Sequence, residues 1–162
     1  MKLKINRLIK NWKYAPFIKY EKNFIKNPIS PGRRYAPQKL NVDLWKKAYA
    51  EFNLNPKKED PYLGCIVMNH YEKGSFTQRH KDTTESGFIH ARVNLMLKKP
   101  TEGGNIFIDD EIINVEKNDL WIILTNLEEH GSTPIGEGER LIYSFGSLIP
   151  VKETFKKIPI RK

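Results

Sequence analysis

Cysteine is almost missing from this 162-residue chain: Cys65 stands alone. No internal disulfide can form, and a reducing compartment is expected. Cys65 itself reads as a small buried hydrophobe. Long apolar runs are missing too. No stretch reaches membrane-spanning length, and the N-terminal "MKLKINRLIKNWKYAPF" lacks the apolar core and small-residue cleavage site of a secretory signal. A soluble, cytoplasmic protein without membrane contact is the expectation. Acidic residues are scarce in one part only. Residues 1–60 carry 15 Lys or Arg against 5 Asp or Glu, a balance of +10, whereas residues 61–162 carry 13 against 14, a balance of −1. The excess leaves nucleic acid or another polyanion open as a partner of the first third. A duller source competes: Lys, Asn and Ile, all with A/T-rich codons, make up 52 of the 162 residues. The cations are mostly lysine, while phosphate-binding surfaces favour the arginine fork.

There is no internal repeat or low-complexity tract. The length suits a single domain with a core of its own. Residues 1–40 read as irregular, punctuated by Pro16, Pro28, Pro31, Gly32 and Pro37. "NVDLWKKAYAEF" places Val42, Leu44, Trp45, Ala48, Tyr49 and Phe52 at helical spacing behind Asn41 as N-cap. This predicts a helix packed outside a sheet. From Leu63 the texture changes to short strands: "LGCIVMNHY", "FTQRHKD", "HARVNLML", "NIFID", "EIINV", "DLWIILT" and "ERLIYSFGSLI". Asp109–Asp110 marks a hairpin turn, and "KKPTEGG" and "STPIGEGE" are turn-rich connectors. The fold class is α+β, mainly β, with a sandwich or barrel of jelly-roll type and the helix packed outside. The boundaries are a basic extension and helix over 1–60, a β core over 61–150 and a basic, solvated tail over 151–162.

Histidine is scarce as well, with His70, His80, His90 and His130 the full set. In "QRHKD", His80 and Asp82 are two apart, so on an extended chain both point to one face. They could bind a metal or simply pair. A facial triad of two histidines and a carboxylate leaves metal positions open, which suits non-haem iron chemistry. His130, after the apolar "DLWIILTNLEE", fits as the distant third ligand. Arg140 lies ten residues on, in an apolar strand run where an unpaired charge is costly. A bidentate carboxylate ligand would satisfy it, and Ser144 shares its strand face.

These residues together resemble the Fe(II)- and 2-oxoglutarate-dependent oxygenases, in particular the prolyl 4-hydroxylase-like branch. The likeness rests on HxD, the distal histidine, the arginine ten residues later, "NHYEKGSFTQRHKD", "RVNLMLKKPTEGGNIF" and "HGSTPIGEGER", and it covers residues 63–149. It implies a double-stranded β-helix (jelly roll, cupin-like) core. His80, Asp82 and His130 would hold Fe(II), and Arg140 the far carboxylate of 2-oxoglutarate. Tyr71 matches a tyrosine that touches this co-substrate. Asn69 resembles an asparagine of the nucleic-acid demethylase branch, and Ser144 would partner Arg140. Many members have Ser or Thr two residues after the arginine, where this chain has Ile142.

The implied activity is a dioxygenase that uses O2 and 2-oxoglutarate to hydroxylate a C–H bond, on a protein side chain as in prolyl hydroxylases, with release of succinate and CO2. A nucleic-acid or small-molecule oxygenase of the same family is the alternative, as is a non-catalytic cupin-like metal-binding module. Strand parity adds Gln78, Arg92, Asn94 and Trp121 to the pocket wall. It leaves His70 on the face away from Tyr71 and His90 as a polar edge residue. "TTESGF", with Gly87 as pivot, is placed to act as a lid.

Overall fold

The computed structural model describes residues 6–152. In chain order the strands are β1 (Leu8–Ile9), β2 (Ile25–Lys26), β3 (Arg33–Gln38), β4 (Lys58–Glu59), β5 (Cys65–His70), β6 (Phe88–Lys98), β7 (Glu102–Gly103), β8 (Ile106–Ile108), β9 (Glu111–Ile113), β10 (Leu120–Leu124), β11 (His130–Ser132), β12 (Ile135–Glu137) and β13 (Arg140–Pro150). The helix α1 (Val42–Ala50) lies between β3 and β4. The larger sheet runs β1-β10-β6-β13-β5-β3-β2, with β4 added against β13 at Ser147–Leu148. Two small sheets, β11-β8-β9 and β12-β7, complete the architecture. The pairings are antiparallel throughout.

Alternation along the long strands separates two environments. One face carries Val67, Val93, Leu95, Ile122, Tyr143 and Phe145, and buries them against Leu44, Trp45, Ala48 and Tyr49 of α1. Asn41 starts this helix as expected, accepting the Leu44 N–H at 3.1 Å. Tyr49 Oη lies 2.9 Å and 2.7 Å from the carbonyls of Ala91 and Phe145, and Trp45 Nε1–H donates to Ser147 Oγ at 2.7 Å. The helix is therefore fixed in position by directed bonds as well as by apolar burial. The opposite face carries Met96, Trp121, Ile123 and Ile142, which pack on Ile106 and Ile108 of β8. Between this second face and the small sheet β11-β8-β9 a cavity opens.

The hairpin turn at Asp109–Asp110 forms as expected, with Asp109 at φ 51°. Two expectations change. "FTQRHKD" is not a regular strand: residues 71–87 contain only an isolated bridge, His80 to His130. Residues 1–40 are not all irregular, because β3 pairs with β5 over six positions. Pro37 is tolerated there because β2 covers only Arg34 and Tyr35, so no neighbour on that side needs its N–H. Of the expected solvated tail, residues 153–162 lie outside the described residues.

Candidate active site

His80 and His130 reach one another across the bridge, each donating its backbone N–H to the other's carbonyl, at 3.1 Å and 3.0 Å. The Asp82 N–H is held by the Thr125 carbonyl at 2.8 Å. The segment from Thr77 to Asp82 thus runs beside β11 without forming a full ladder. The side-chain donor atoms of His80, Asp82 and His130 all lie within 4.8 Å of one another. Nε2 of His80 is 3.2 Å from Asp82 Oδ1, and Nε2 of His130 is 4.0 Å from Asp82 Oδ2.

The other ring nitrogens are taken. Nδ1 of His80 lies 2.6 Å from the Gln78 carbonyl, and Nδ1 of His130 lies 2.9 Å from the Glu128 carbonyl. A carbonyl can only accept, so each Nδ1 carries the hydrogen. This is how metal-binding histidines are oriented. His130 then offers its Nε2 lone pair inward, while the hydrogen bond to Asp82 raises His80 and favours a second proton on its Nε2, which a metal would displace. Burial would raise the Asp82 carboxyl, but the hydrogen bond from His80 and the nearby His130 hold it below the usual carboxylate range. Burial lowers His130. The donor set fits a divalent ion bound through two imidazoles and one carboxylate.

Arg140 starts β13 and is 2 % exposed. Its Nη1 donates to the Gly104 carbonyl and its Nη2 to Ser132 Oγ, both at 2.9 Å, while Nε has no partner. His70 lies against it, with both ring nitrogens 3.1–3.2 Å from Nη2. No carboxylate forms an ion pair with it among the described residues. Glu139 pairs with Lys98 and Asp119 with Lys10, so neither serves. Burial, and then the charge of Arg33, press the Arg140 guanidinium down to about 9. Burial, then Arg140 and Arg33, push His70 down to about 2, so that ring stays neutral.

These groups share a cavity of about 120 Å³. It takes the three candidate ligands, Arg140, Arg33 and Thr77, with an apolar wall from Ile66, Met68, Ile106 and Ile142. Arg92, Asn94 and Trp121 line it as expected, whereas Gln78 contributes its backbone carbonyl to His80 instead.

Three expected co-substrate contacts change. Ser144 does not partner Arg140: its Oγ accepts from Arg92 Nη1 at 2.9 Å. Ser132, on β11, supplies the hydroxyl that β13 lacks at Ile142. Tyr71 and Asn69 face away from the cavity, because the inward positions of β5 are Ile66, Met68 and His70. Asn69 accepts from Arg34 Nε at 2.8 Å and donates to Glu139 Oε2 at 3.2 Å. The Tyr71 and Phe24 rings flank the same guanidinium at 4.5 Å and 4.4 Å.

His90 is not an edge residue either. It is buried, with Nε2 3.2 Å from Asp60 Oδ2 and Nδ1 3.9 Å from Asp82 Oδ2. Asp60 also pairs with Arg92 Nη2 at 2.6 Å. The "TTESGF" loop is tied to β4 by Lys58–Glu85 at 3.0 Å, and Gly87 has φ 84°.

Sequence reading missed Arg33, Thr77, Ser132 and Asp60. For Ser132 a signal existed, since it lies two residues after His130 and so on the same strand face.

No family model and no curated protein sequence matches the chain. Solved structures do. It is similar to the viral collagen prolyl hydroxylase vCPH from Paramecium Bursaria Chlorella virus-1 in its 2OG complex, with 18% identity over 74% of this chain and 80% of that one, and a TM-score of 0.55. HygX from Streptomyces hygroscopicus, with nickel, 2-oxoglutarate and hygromycin B bound, aligns at 14% identity over 80% of this chain and 74% of that one, TM-score 0.56. A prolyl hydroxylase from Trichoplax adhaerens, in complex with a hypoxia inducible factor oxygen degradation domain peptide fragment, aligns at 14% over 76% and 65%, TM-score 0.53. At these identities the likeness is one of fold. The chain has the mainly β, jelly-roll fold of these 2-oxoglutarate and prolyl hydroxylase structures. Among the described residues no helix is long and apolar enough to cross a membrane.

Proposed function

We propose that this chain is an Fe(II)- and 2-oxoglutarate-dependent dioxygenase that hydroxylates a C–H bond, on a protein side chain in the manner of prolyl hydroxylases. The observation that carries this reading is a single one. A buried arginine that has no counter-ion among the described residues opens on the same cavity as a His–Asp–His donor set. A metal-only module has no use for the arginine, and a buried lone charge is otherwise a loss. His80, Asp82 and His130 would hold the iron, and Arg140, steadied by Ser132 and Gly104, would hold the far carboxylate of 2-oxoglutarate by charge-assisted bonds. Iron with 2-oxoglutarate and O2 would supply the oxidation, one oxygen atom going to the substrate hydroxyl and the other to succinate as CO2 leaves. The chain orients both partners and keeps water out through Ile66, Met68, Ile106 and Ile142.

The reading takes the chain as one oxygenase domain, since β1 and β3 occupy places in the same sheet as the β-core strands. The basic residues of the first third lend no support to a nucleic-acid substrate. Arg7, Lys10 and Lys58 form ion pairs, Arg33 faces the cavity, and Arg34 is packed between rings.

The test is anaerobic addition of 2-oxoglutarate to the Fe(II)-loaded protein. A visible charge-transfer band is expected. Bound iron without the band would leave only the metal-binding module standing.

A further inference from the structure

Four charged side chains line the cavity: Arg33, Arg92, Arg140 and Asp82. Asp60 neutralises Arg92 from behind. Arg33 and Arg140 form no ion pair among the described residues, so together with Asp82 they leave the cavity with a surplus positive charge. On the reading proposed above, Fe(II) adds two charges and 2-oxoglutarate removes two. The surplus persists in the loaded site.

Arg33 is the group that carries it. It stands on β3 in the same cross-strand row as His70 and Arg140. Arg140 sits deep, with hydrogen bonds to Gly104 and Ser132, whereas Arg33 is half-buried and its side-chain bond goes to Met68 Sδ at 3.4 Å. A thioether is a weak acceptor. Burial presses the Arg33 guanidinium below its ordinary value, with Asp82 opposing. A guanidinium drawn partly out of water, with one weak partner, is poised for an anion. The same cavity carries an apolar wall of Met68 and Ile66, and Leu63, 54% exposed, lines it as well.

We propose that Arg33 is the anion subsite for the molecule oxidised, which presents a carboxylate to Arg33 and an apolar body to Leu63, Ile66 and Met68. A neutral peptide carbonyl would leave the surplus charge in place. The substrate is therefore an organic acid or a segment bearing an acidic side chain, and Arg33 decides specificity between acid and amide.

The experiment uses full-length protein loaded with Fe(II) and saturating 2-oxoglutarate without oxygen. The charge-transfer band is recorded first, and its absence sinks the oxygenase reading itself. With the band present, N-acetyl-L-leucine, N-acetyl-L-leucinamide and the capped peptide acetyl-Leu-Asp-Leu-amide are titrated, following the spectral change and, in parallel, calorimetry. At least one of the two acids should bind about tenfold or more tightly than the amide, as a charge-assisted contact requires. Tighter binding of the peptide assigns the anion to an acidic side chain, and tighter binding of N-acetyl-L-leucine to a small acid.

Arg33→Met should abolish the acid preference while 2-oxoglutarate affinity and iron content stay within about threefold. Arg33→Lys should keep part of the preference. Acids that bind no better than the amide, including no binding by any probe, would overturn the subsite. So would a loss of 2-oxoglutarate affinity in Arg33→Met beyond about tenfold, because Arg33 would then serve the co-substrate. Should Arg33→Met fail to fold, the acid preference of the unmodified protein and the behaviour of Arg33→Lys decide.

Discussion

Arg140 is a guanidinium sealed in protein with hydrogen bonds for two of its nitrogens and none for Nε. Arg140→Ala should weaken 2-oxoglutarate binding by several hundredfold or more, since loss of one partner of a buried charge pair costs about 3–5 kcal/mol. Iron binding should change little. Arg140→Lys keeps the charge but loses the fork, so its affinity should fall between the two. Anaerobic titration at saturating iron measures both variants. Equal 2-oxoglutarate affinity in Arg140→Ala would remove the residue from the co-substrate site. His70 beside it makes a second, pH-dependent expectation. Its folded pKa is pushed to about 2 from 6.5. Between these values the unfolded chain takes up a proton that the folded protein refuses. Stability therefore rises with pH through that window and is lost as pH falls below 6.5, by up to about 1.4 kcal/mol per pH unit. Urea unfolding at pH 7 and pH 5 should show the loss, and His70→Gln should reduce it.

The segment bearing His80 and the strand β11 meet at Gly131, and no larger residue fits between them. A Cβ there would lie 2.6 Å from the Thr77 carbonyl and 2.7 Å from the Phe107 ring. Gly131→Ala must push the segment from Thr77 to Asp82 off β11 and separate His80 from His130. Iron affinity should drop by at least about tenfold, in the range seen when the support of metal ligands is disturbed. Equilibrium competition with a chelator measures it, and unchanged affinity would show that the segment relaxes freely. This contact illustrates what the sequence could and could not convey. His80, Asp82, His130 and Arg140 were legible because their chemistry is unusual for their surroundings: a His–x–Asp pair and a charge in an apolar strand. The helix from Val42 and the strands at Cys65, Phe88, Leu120 and Arg140 were legible from periodicity. Face was harder. In β5 every second residue points inward, and reading Tyr71 and Asn69 as inward put His70 on the wrong side. Nothing local sets that register; the pairing of His70 with both Arg33 and Arg140 does. For the same reason β3 was hidden. Its sequence "RRYAPQ" has a proline and little apolar content, and it becomes a strand only because β5 offers an edge.

Taken as one body, the protein uses one arginine of its basic first third to brace the candidate metal site. Arg7, just ahead of β1, donates through Nη1 to Glu128 Oε1 at 3.1 Å and to the Ile122 carbonyl at 2.8 Å. Glu128 is 2% exposed, and its Oε1 also accepts the Leu124 N–H at 2.9 Å. Its backbone carbonyl is the acceptor that orients His130 Nδ1. A path of direct bonds thus runs from the N-terminal arm, through the turn after β10, to an imidazole in the cavity. This one charge, part of what looks like a polyanion-binding arm in the linear sequence, serves here as internal bracing. Arg7→Met removes the partner of a buried carboxylate and should destabilise the fold by about 3–5 kcal/mol. It should also lower iron affinity about tenfold or more, because the acceptor that fixes the His130 ring is no longer held. Arg7→Lys restores the charge without the fork and should recover part of both losses. The two readouts separate bracing from mere stability. Denaturant midpoints report the fold, while chelator competition in buffer without denaturant reports the site. A variant that loses stability yet binds iron with full affinity would show that the turn keeps its shape without Arg7.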